Sequence, residues 1–315
     1  MNVWLIGSGG MAQDYAKVLA ALEIPFTVIG RGEESAVQFE KVSGHPAHRG
    51  GVQAFLESRP ASLPDAAIVS VGVEALASAT TLLIDAGVKR ILVEKPAGMT
   101  AQEIGTVNAA ACARGTDVAV AYNRRFYSSV RRAQQIILED GGVQSFNFEF
   151  TEWSHQIEPL VKAAGVKAHW LLGNSSHIID LAFYLGGSPV DIHCLRAGGL
   201  SWHPSGSIFA GSGKTDRGAL FSFQANWQAP GRWGVEVCTA KHRLILRPLE
   251  SLQIMKRGSV AIENVSLSDG QIDKDFKPGL YVQVEKFLRE PLASGLCRLS
   301  EHAGKAELYC RIAGY

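Results

Sequence analysis

The run Gly7-Ser8-Gly9-Gly10-Met11-Ala12, directly behind the apolar segment Val3–Ile6, constrains this chain more than any other feature. A short, wholly apolar run bounded by glycine reads as a strand buried on both faces of a parallel sheet. From Met11 the pattern turns helical, with Met11, Tyr15, Val18, Leu19 and Leu22 on one face. Strand, glycine-rich turn and helix in immediate succession form the backbone of a dinucleotide site. Gly7 permits the tight turn, Gly9 lets the backbone approach a pyrophosphate, and Ala12 lets the helix pack close to the sheet. Gly10 and Met11 open the helix, whose N–H groups and positive dipole end would face the phosphates.

The same alternation continues. Strands are expected at 26–29, 67–71 and 90–93, with helices at 34–42, 51–58 and 74–86, the last closed by Gly87. This rhythm specifies right-handed crossovers and a doubly wound parallel sheet. A chain of 315 residues, 46% of them hydrophobic, is expected to form two domains. We place the first, a Rossmann dinucleotide-binding domain, at 1–121, and a substrate-binding and oligomerisation domain at 122–315.

The second strand ends Val28-Ile29-Gly30-Arg31-Gly32, without the carboxylate that accepts hydrogen bonds from the ribose of NAD. Arg31 suits a 2′-phosphate, so NADP is expected, while Glu33 and Glu34 keep NAD possible. Glu94-Lys95-Pro96 follows the strand at 90–93, at the sheet edge where parallel sheets bind ligands. A lysine there can hydrogen-bond a nicotinamide ribose and a substrate hydroxyl, and its charge favours a developing alkoxide.

Net charge is +1 with no basic tract, which argues against a nucleic-acid or acidic-membrane partner and for a small molecule. Met1 to Ile6 lacks a basic n-region and meets glycine at once, so a cytoplasmic protein is expected. Cys112, Cys194, Cys238, Cys297 and Cys310 are scattered without a C-x-x-C pair and read as reduced thiols. The nine histidines show no ligand spacing, so no metal is expected.

Four strings, in order, resemble the Gfo/Idh/MocA family, the glucose-fructose oxidoreductase and inositol dehydrogenase relatives. They are Gly7 to Ala12, Glu94-Lys95-Pro96, Ala121-Tyr122-Asn123-Arg124-Arg125-Phe126, and His177-Ile178-Ile179-Asp180-Leu181. The resemblance implies a second α/β domain with a large, mostly antiparallel sheet. It implies a catalytic Lys95, an acid/base His177, and Asn123 and Arg124 beside the cofactor together with Glu94. Where the family often carries an aspartate, four residues before the histidine, this chain has Gly173.

In the second domain a helix is expected at 127–138, another at 168–185 that is interrupted near Gly173-Asn174, and strands at 145–153, 191–197, 219–227, 233–239, 242–246 and 251–255. Short polar turns make the sheet largely antiparallel, with a face able to build a homodimer or homotetramer. His177, Asp180 and Tyr184 can share one helix face. Asn174, Asp180, Tyr184 and Trp153 are the candidate substrate contacts. Gly211-Ser212-Gly213-Lys214-Thr215 only mimics a phosphate loop and is expected to be a hairpin or mobile substrate loop; Arg124, Arg125 and Lys167 are expected to meet any substrate phosphate. The tail reads as two amphipathic helices, at 280–288 and 300–312.

These features lead to the expectation of an NAD(P)-dependent oxidoreductase moving a hydride between a nicotinamide cofactor and a carbinol or ketone of a sugar, cyclitol or nucleotide-linked sugar. Alternatives are a sensor that binds the cofactor without turnover, and a reductase of an imine or tetrapyrrole.

Overall fold

The computed structural model describes residues 1–290 and 295–315. The chain divides into two compact units, residues 1–122 with 280–307, and residues 123–279 with 308–315. The sequence suggested a single boundary after residue 121. The difference is the return of 280–307 to the first unit, which local periodicity does not encode because helix periodicity does not specify which sheet a helix covers.

The first unit runs β1 (Val3–Ile6), α1 (Gly10–Ala21), β2 (Phe26–Ile29), α2 (Glu33–Ser43), β3 (Ala47–His48), α3 (Gly51–Glu57), β4 (Ala66–Val69), α4 (Val73–Ala86), β5 (Arg90–Val93), α5 (Ala101–Arg114) and β6 (Asp117–Val120). β1 and β4 are buried at every position, as expected of strands covered on both faces. Thr100 caps α5 by accepting from the Glu103 N–H, and Gly115 closes it in the left-handed region.

The second unit opens with a 3-10 turn at Asn123–Phe126. It continues through α6 (Ser128–Glu139), β7 (Ser145–Glu149), α7 (Ser154–Ile157), a π-helical turn at Leu171–Ser175 and α8 (Ser176–Gly186). The strands β8 (Pro189–Ala197), β9 (Ile208–Thr215), β10 (Leu220–Asn226), β11 (Gly234–Cys238), β12 (His242–Leu246), β13 (Gln253–Lys256) and β14 (Ile262–Asn264) follow, then α9 (Ile272–Asp275). The chain then returns through α10 (Leu280–Arg289), β15 (Cys297–Arg298) and α11 (Leu299–Ala313).

In the first sheet the order is β15-β6-β5-β4-β1-β2-β3, parallel apart from the antiparallel pairing of β15 with β6. The strand order reverses beside β1, with β2 on one side and β4 on the other. This is the switch point at which an open parallel sheet leaves a crevice beyond its carboxyl ends.

In the second sheet the order is β14-β13-β12-β11-β7-β10-β9-β8, antiparallel except for β7 with β10. β10 alternates exposed and buried residues, with Phe221, Phe223 and Ala225 inward. Phe146, Phe148 and Phe221 meet Phe183 of α8 at ring-centroid distances of 6.0, 5.6 and 5.1 Å, so α8 is held by an aromatic layer.

The segment 211–215 is not a loop. It is the body of β9, paired with β10 from Lys214 and with β8, where a bulge at Pro189/Asp191 shifts the register opposite Thr215 and Lys214. Its glycines have a packing cause: a Cβ on Gly211 would lie 2.3 Å from the Phe223 ring, and one on Gly213 would lie 2.7 Å from Phe221. Among the described residues no helix is long and apolar enough to cross a membrane.

Candidate functional site

At the switch point of the first unit lies a cavity of about 480 Å³, lined among others by Gly7, Ser8, Gly9, Arg31, Ser35 and Ser70. Gly7 adopts φ +117°, and a Cβ there would lie 2.5 Å from the Ser70 carbonyl oxygen, so no other residue fits the turn. Gly9 differs: a Cβ would meet no protein atom within 4 Å, and the same holds for Gly10. The space beside them is open for a ligand. Gly9 is the N-cap of α1, with no side-chain cap and no acidic residue in the first turn, so the helix end stays available to an anion. Ala12 is fully buried, as close helix packing requires, and Met11 is half-buried on the first turn.

The end of β2 has a steric logic. A Cβ on Gly30 would lie 2.6 Å from Ser8 Oγ, so any side chain at that position would displace the Ser8 hydroxyl. Ser8 Oγ is 2.9 Å from Ser35 Oγ. Arg31 is exposed and faces the cavity, and no carboxylate is among the lining residues. Glu33, a candidate for the ribose, is engaged by Arg49 at 3.3 Å. Arg49 also pairs with Glu40, which holds the Glu40 carboxyl down at about 2.

Lys95 follows β5 on a turn that contains a cis Lys95–Pro96 bond. Glu94 accepts a 2.7 Å hydrogen bond from Tyr15 Oη of α1. Burial first, and then the Glu94 charge, keep the Tyr15 phenol protonated by raising its pKa. From the returning α11, buried His302 places Nε2 2.8 Å from the Pro96 carbonyl and Nδ1 3.3 Å from Tyr122 Oη. A carbonyl only accepts, so Nε2 carries the proton and Nδ1 accepts from the tyrosine. His302 fixes the Lys95 turn from a position 206 residues away, and the sequence analysis missed it.

In the second unit His177 is 5% exposed on the first turn of α8, its ring 6.3 Å from the Trp233 ring. Asp180, expected at the substrate, is instead fully buried in an ion pair. Arg125 Nε and Nη2 contact its two oxygens at 2.7 and 2.6 Å. The Arg125 guanidinium also lies 4.6 Å over the Tyr184 ring, so Asp180 and Tyr184 do share a helix face, but that face packs on arginine. Asn123 is likewise occupied, its amide donating to the Pro278 carbonyl at 2.9 Å. Arg125 is buried against Asp180, and Lys167 donates to the Glu158 carbonyl.

Asn174 leads to a residue the sequence analysis did not single out. Its amide donates to Glu152 Oε1 at 2.9 Å, and Ser175 Oγ donates to the same oxygen at 2.7 Å. Glu152 is 2% exposed, so a buried carboxylate pins the π-helical turn that leads into His177. The helix interruption expected near Gly173 is this turn. Trp153 is 39% exposed, its indole N–H donating to the Gly231 carbonyl at 2.9 Å, with Arg232 stacked over the ring. Arg124 lies 4.6 Å over Trp233.

No protein-family model matches this sequence, and no curated protein is similar to it. Solved structures are similar throughout. A levoglucosan dehydrogenase in complex with NADH is 16% identical, with a TM-score of 0.78 over 100% of this chain and 96% of that one. A UDP-N-acetylglucosamine 3-dehydrogenase from Acidithiobacillus ferrooxidans is 16% identical, with a TM-score of 0.75 over 99% and 96%. An NAD-binding oxidoreductase from Klebsiella pneumoniae is 16% identical, with a TM-score of 0.77 over 100% and 96%. The chain therefore has the fold of these dehydrogenases over its whole length.

Proposed function

We propose that this chain is an NAD(P)-dependent oxidoreductase of the Gfo/Idh/MocA type, acting on a carbinol or ketone carbon of a sugar, cyclitol or nucleotide-linked sugar. The observation that carries the reading is the cavity at the switch point: a turn only glycine can make at position 7, open space at Gly9 and Gly10, and an uncapped helix end. Those features fit a dinucleotide pyrophosphate. The structural neighbours named as dehydrogenases of levoglucosan and of UDP-N-acetylglucosamine support a sugar-like substrate. We further propose a cytoplasmic protein, assembled as a homodimer or homotetramer through the open face of the second sheet, where Leu195, Ile208 and Leu220 are exposed.

NADP is the preferred cofactor in this reading, because no carboxylate lines the cavity whereas Arg31 and Ser35 do. When bound, the nicotinamide accepts or donates the hydride. Lys95 stabilises the alkoxide that develops as the substrate hydroxyl loses its proton, and His177 exchanges that proton. Asp180 and Asn123 act through structure, holding Arg125 and the Pro278 carbonyl.

The test is a fluorescence titration with NADPH and NADH, followed by a sugar and nucleotide-sugar screen with whichever binds. Tight binding of NADPH, weakened about tenfold or more in Arg31→Ala with NADH unaffected, is expected. Lys95→Met should keep cofactor binding and lose turnover by about a hundredfold or more. No binding of either cofactor refutes the reading, and binding without turnover on the whole panel makes the chain a sensor.

A further inference from the structure

The second unit carries a cationic aromatic ladder beside His177 that the reaction itself does not require. Arg232 lies with its guanidinium 4.5 Å from the Trp153 ring centroid and 5.2 Å from that of Trp233. Arg124 sits 4.6 Å from the same Trp233 centroid, so the two guanidinium carbons are at most about 10 Å apart. Two like charges within roughly one Debye length repel one another. Arg232 is exposed, and among the described residues it has no ion-pair partner. The nearby Glu149 carboxylate is taken by Arg247 at 2.7 Å. Trp153 is fixed by its bond to the Gly231 carbonyl, so the exposed guanidinium rests on an ordered ring. Trp233 adds an independent sign: it is 5% exposed, yet its indole N–H has no acceptor among the described residues.

We propose that this ladder binds an anionic group of the substrate, so that the sugar or cyclitol acted on carries a carboxylate or phosphate. The inference rests on the reading of His177 as part of the substrate site. A planar guanidinium already stacked on an indole loses little freedom when it grips an oxyanion, and a negative charge is attracted by both guanidinium groups. The unmet Trp233 N–H lies in the same cluster as the two guanidinium groups. Carboxylate and phosphate present the same chemistry to these groups, and the two arms of the experiment separate them.

The experiment is calorimetric titration of the full chain, saturated with NADP, with D-glucuronate, with UDP and with D-glucose, in low and high salt. Binding of glucuronate or UDP well ahead of glucose is expected, weakening with salt, and the tighter of the two identifies the source of the charge. Arg232→Gln should weaken anion binding by about ten- to a hundredfold and leave the thermal melt unchanged, because the side chain is exposed. Arg232→Lys should fall between. Failure of both anions to bind, or equal binding by wild type and Arg232→Gln, would overturn the proposal. Failure of the functional reading shows separately, as absence of cofactor binding in the fluorescence titration.

Discussion

Replacing Asp180 with asparagine separates two roles for one carboxylate. Helix periodicity places Asp180 beside His177 and so makes it a substrate contact, whereas the structure gives both its oxygens to Arg125. Arg125 is 2% exposed and Asp180 fully buried, so Asp180→Asn removes the carboxylate charge that faces a buried guanidinium. Breaking a buried pair from one side costs about 3–5 kcal/mol. The second unit has roughly 165 residues, and at about 2.1 cal/mol/K per residue its unfolding entropy is near 0.35 kcal/mol/K. If that unit melts alone, the transition should fall by about 9–14 °C; if the whole chain melts together, by roughly half as much. Tryptophan fluorescence reports the event well, since five of the six tryptophans lie in the second unit. The double variant Arg125→Met with Asp180→Leu removes both charges and should recover most of the loss, because a buried pair contributes little beyond its own desolvation. Below the transition, KM for substrate should stay near the wild-type value. A melt shifted by less than about 1 °C together with a raised KM would refute the structural role and restore Asp180 to the substrate.

Glu152→Ala strands the buried Ser175 hydroxyl, worth about 1–3 kcal/mol when left unsatisfied, and frees the half-buried Asn174 amide; the melt should fall and kcat drop, while Glu152→Gln, which keeps an acceptor oxygen, should recover most of both. His203 is fully buried, donating from Nδ1 to the Gly206 carbonyl and accepting at Nε2 from Tyr315 Oη, and burial holds its pKa below the ordinary value. Its folded-state pKa is the lower one, so the neutral ring contributes stability fully above about pH 6.5, and that contribution is lost as pH falls below it; melts across pH 5 to 7.5 should show the slope, and His203→Gln should flatten it.

The contrast between these residues shows what a sequence can and cannot carry. The glycine turn behind β1 was legible because strand, turn and helix follow one another directly in the chain, with Gly7 at φ +117° and Gly9 as the N-cap of α1, although the atom that forbids a side chain at Gly7 is the carbonyl of the distant Ser70. Similar glycines in β9 misled, since glycine serves a close approach as well as a turn, and the rings of Phe221 and Phe223 that require the space at Gly213 and Gly211 belong to the neighbouring strand. Periodicity gave the face of α8 on which Asp180 and Tyr184 lie, but not what covers that face; Arg125 stands 55 residues earlier in the chain.

The same reasoning explains why the residues that hold the proposed catalytic groups in place were the ones missed. Lys95 and His177 sit in recognisable strings, but Lys95 depends on a turn tied down by His302, and His177 follows a π-helical turn tied down by Glu152. Each support is a single buried polar residue in a stretch whose pattern otherwise signals ordinary packing, and its partner is a hydrogen-bonding atom far along the chain. Burial is what gives such a contact its value, since an unmet donor or acceptor costs most where water cannot replace it. It follows that His302→Phe, which keeps a ring in the core and removes both hydrogen bonds, should loosen the Pro96 carbonyl and the Tyr122 hydroxyl and lower kcat through Lys95. Unchanged turnover in that variant would mean that the Lys95 turn holds itself.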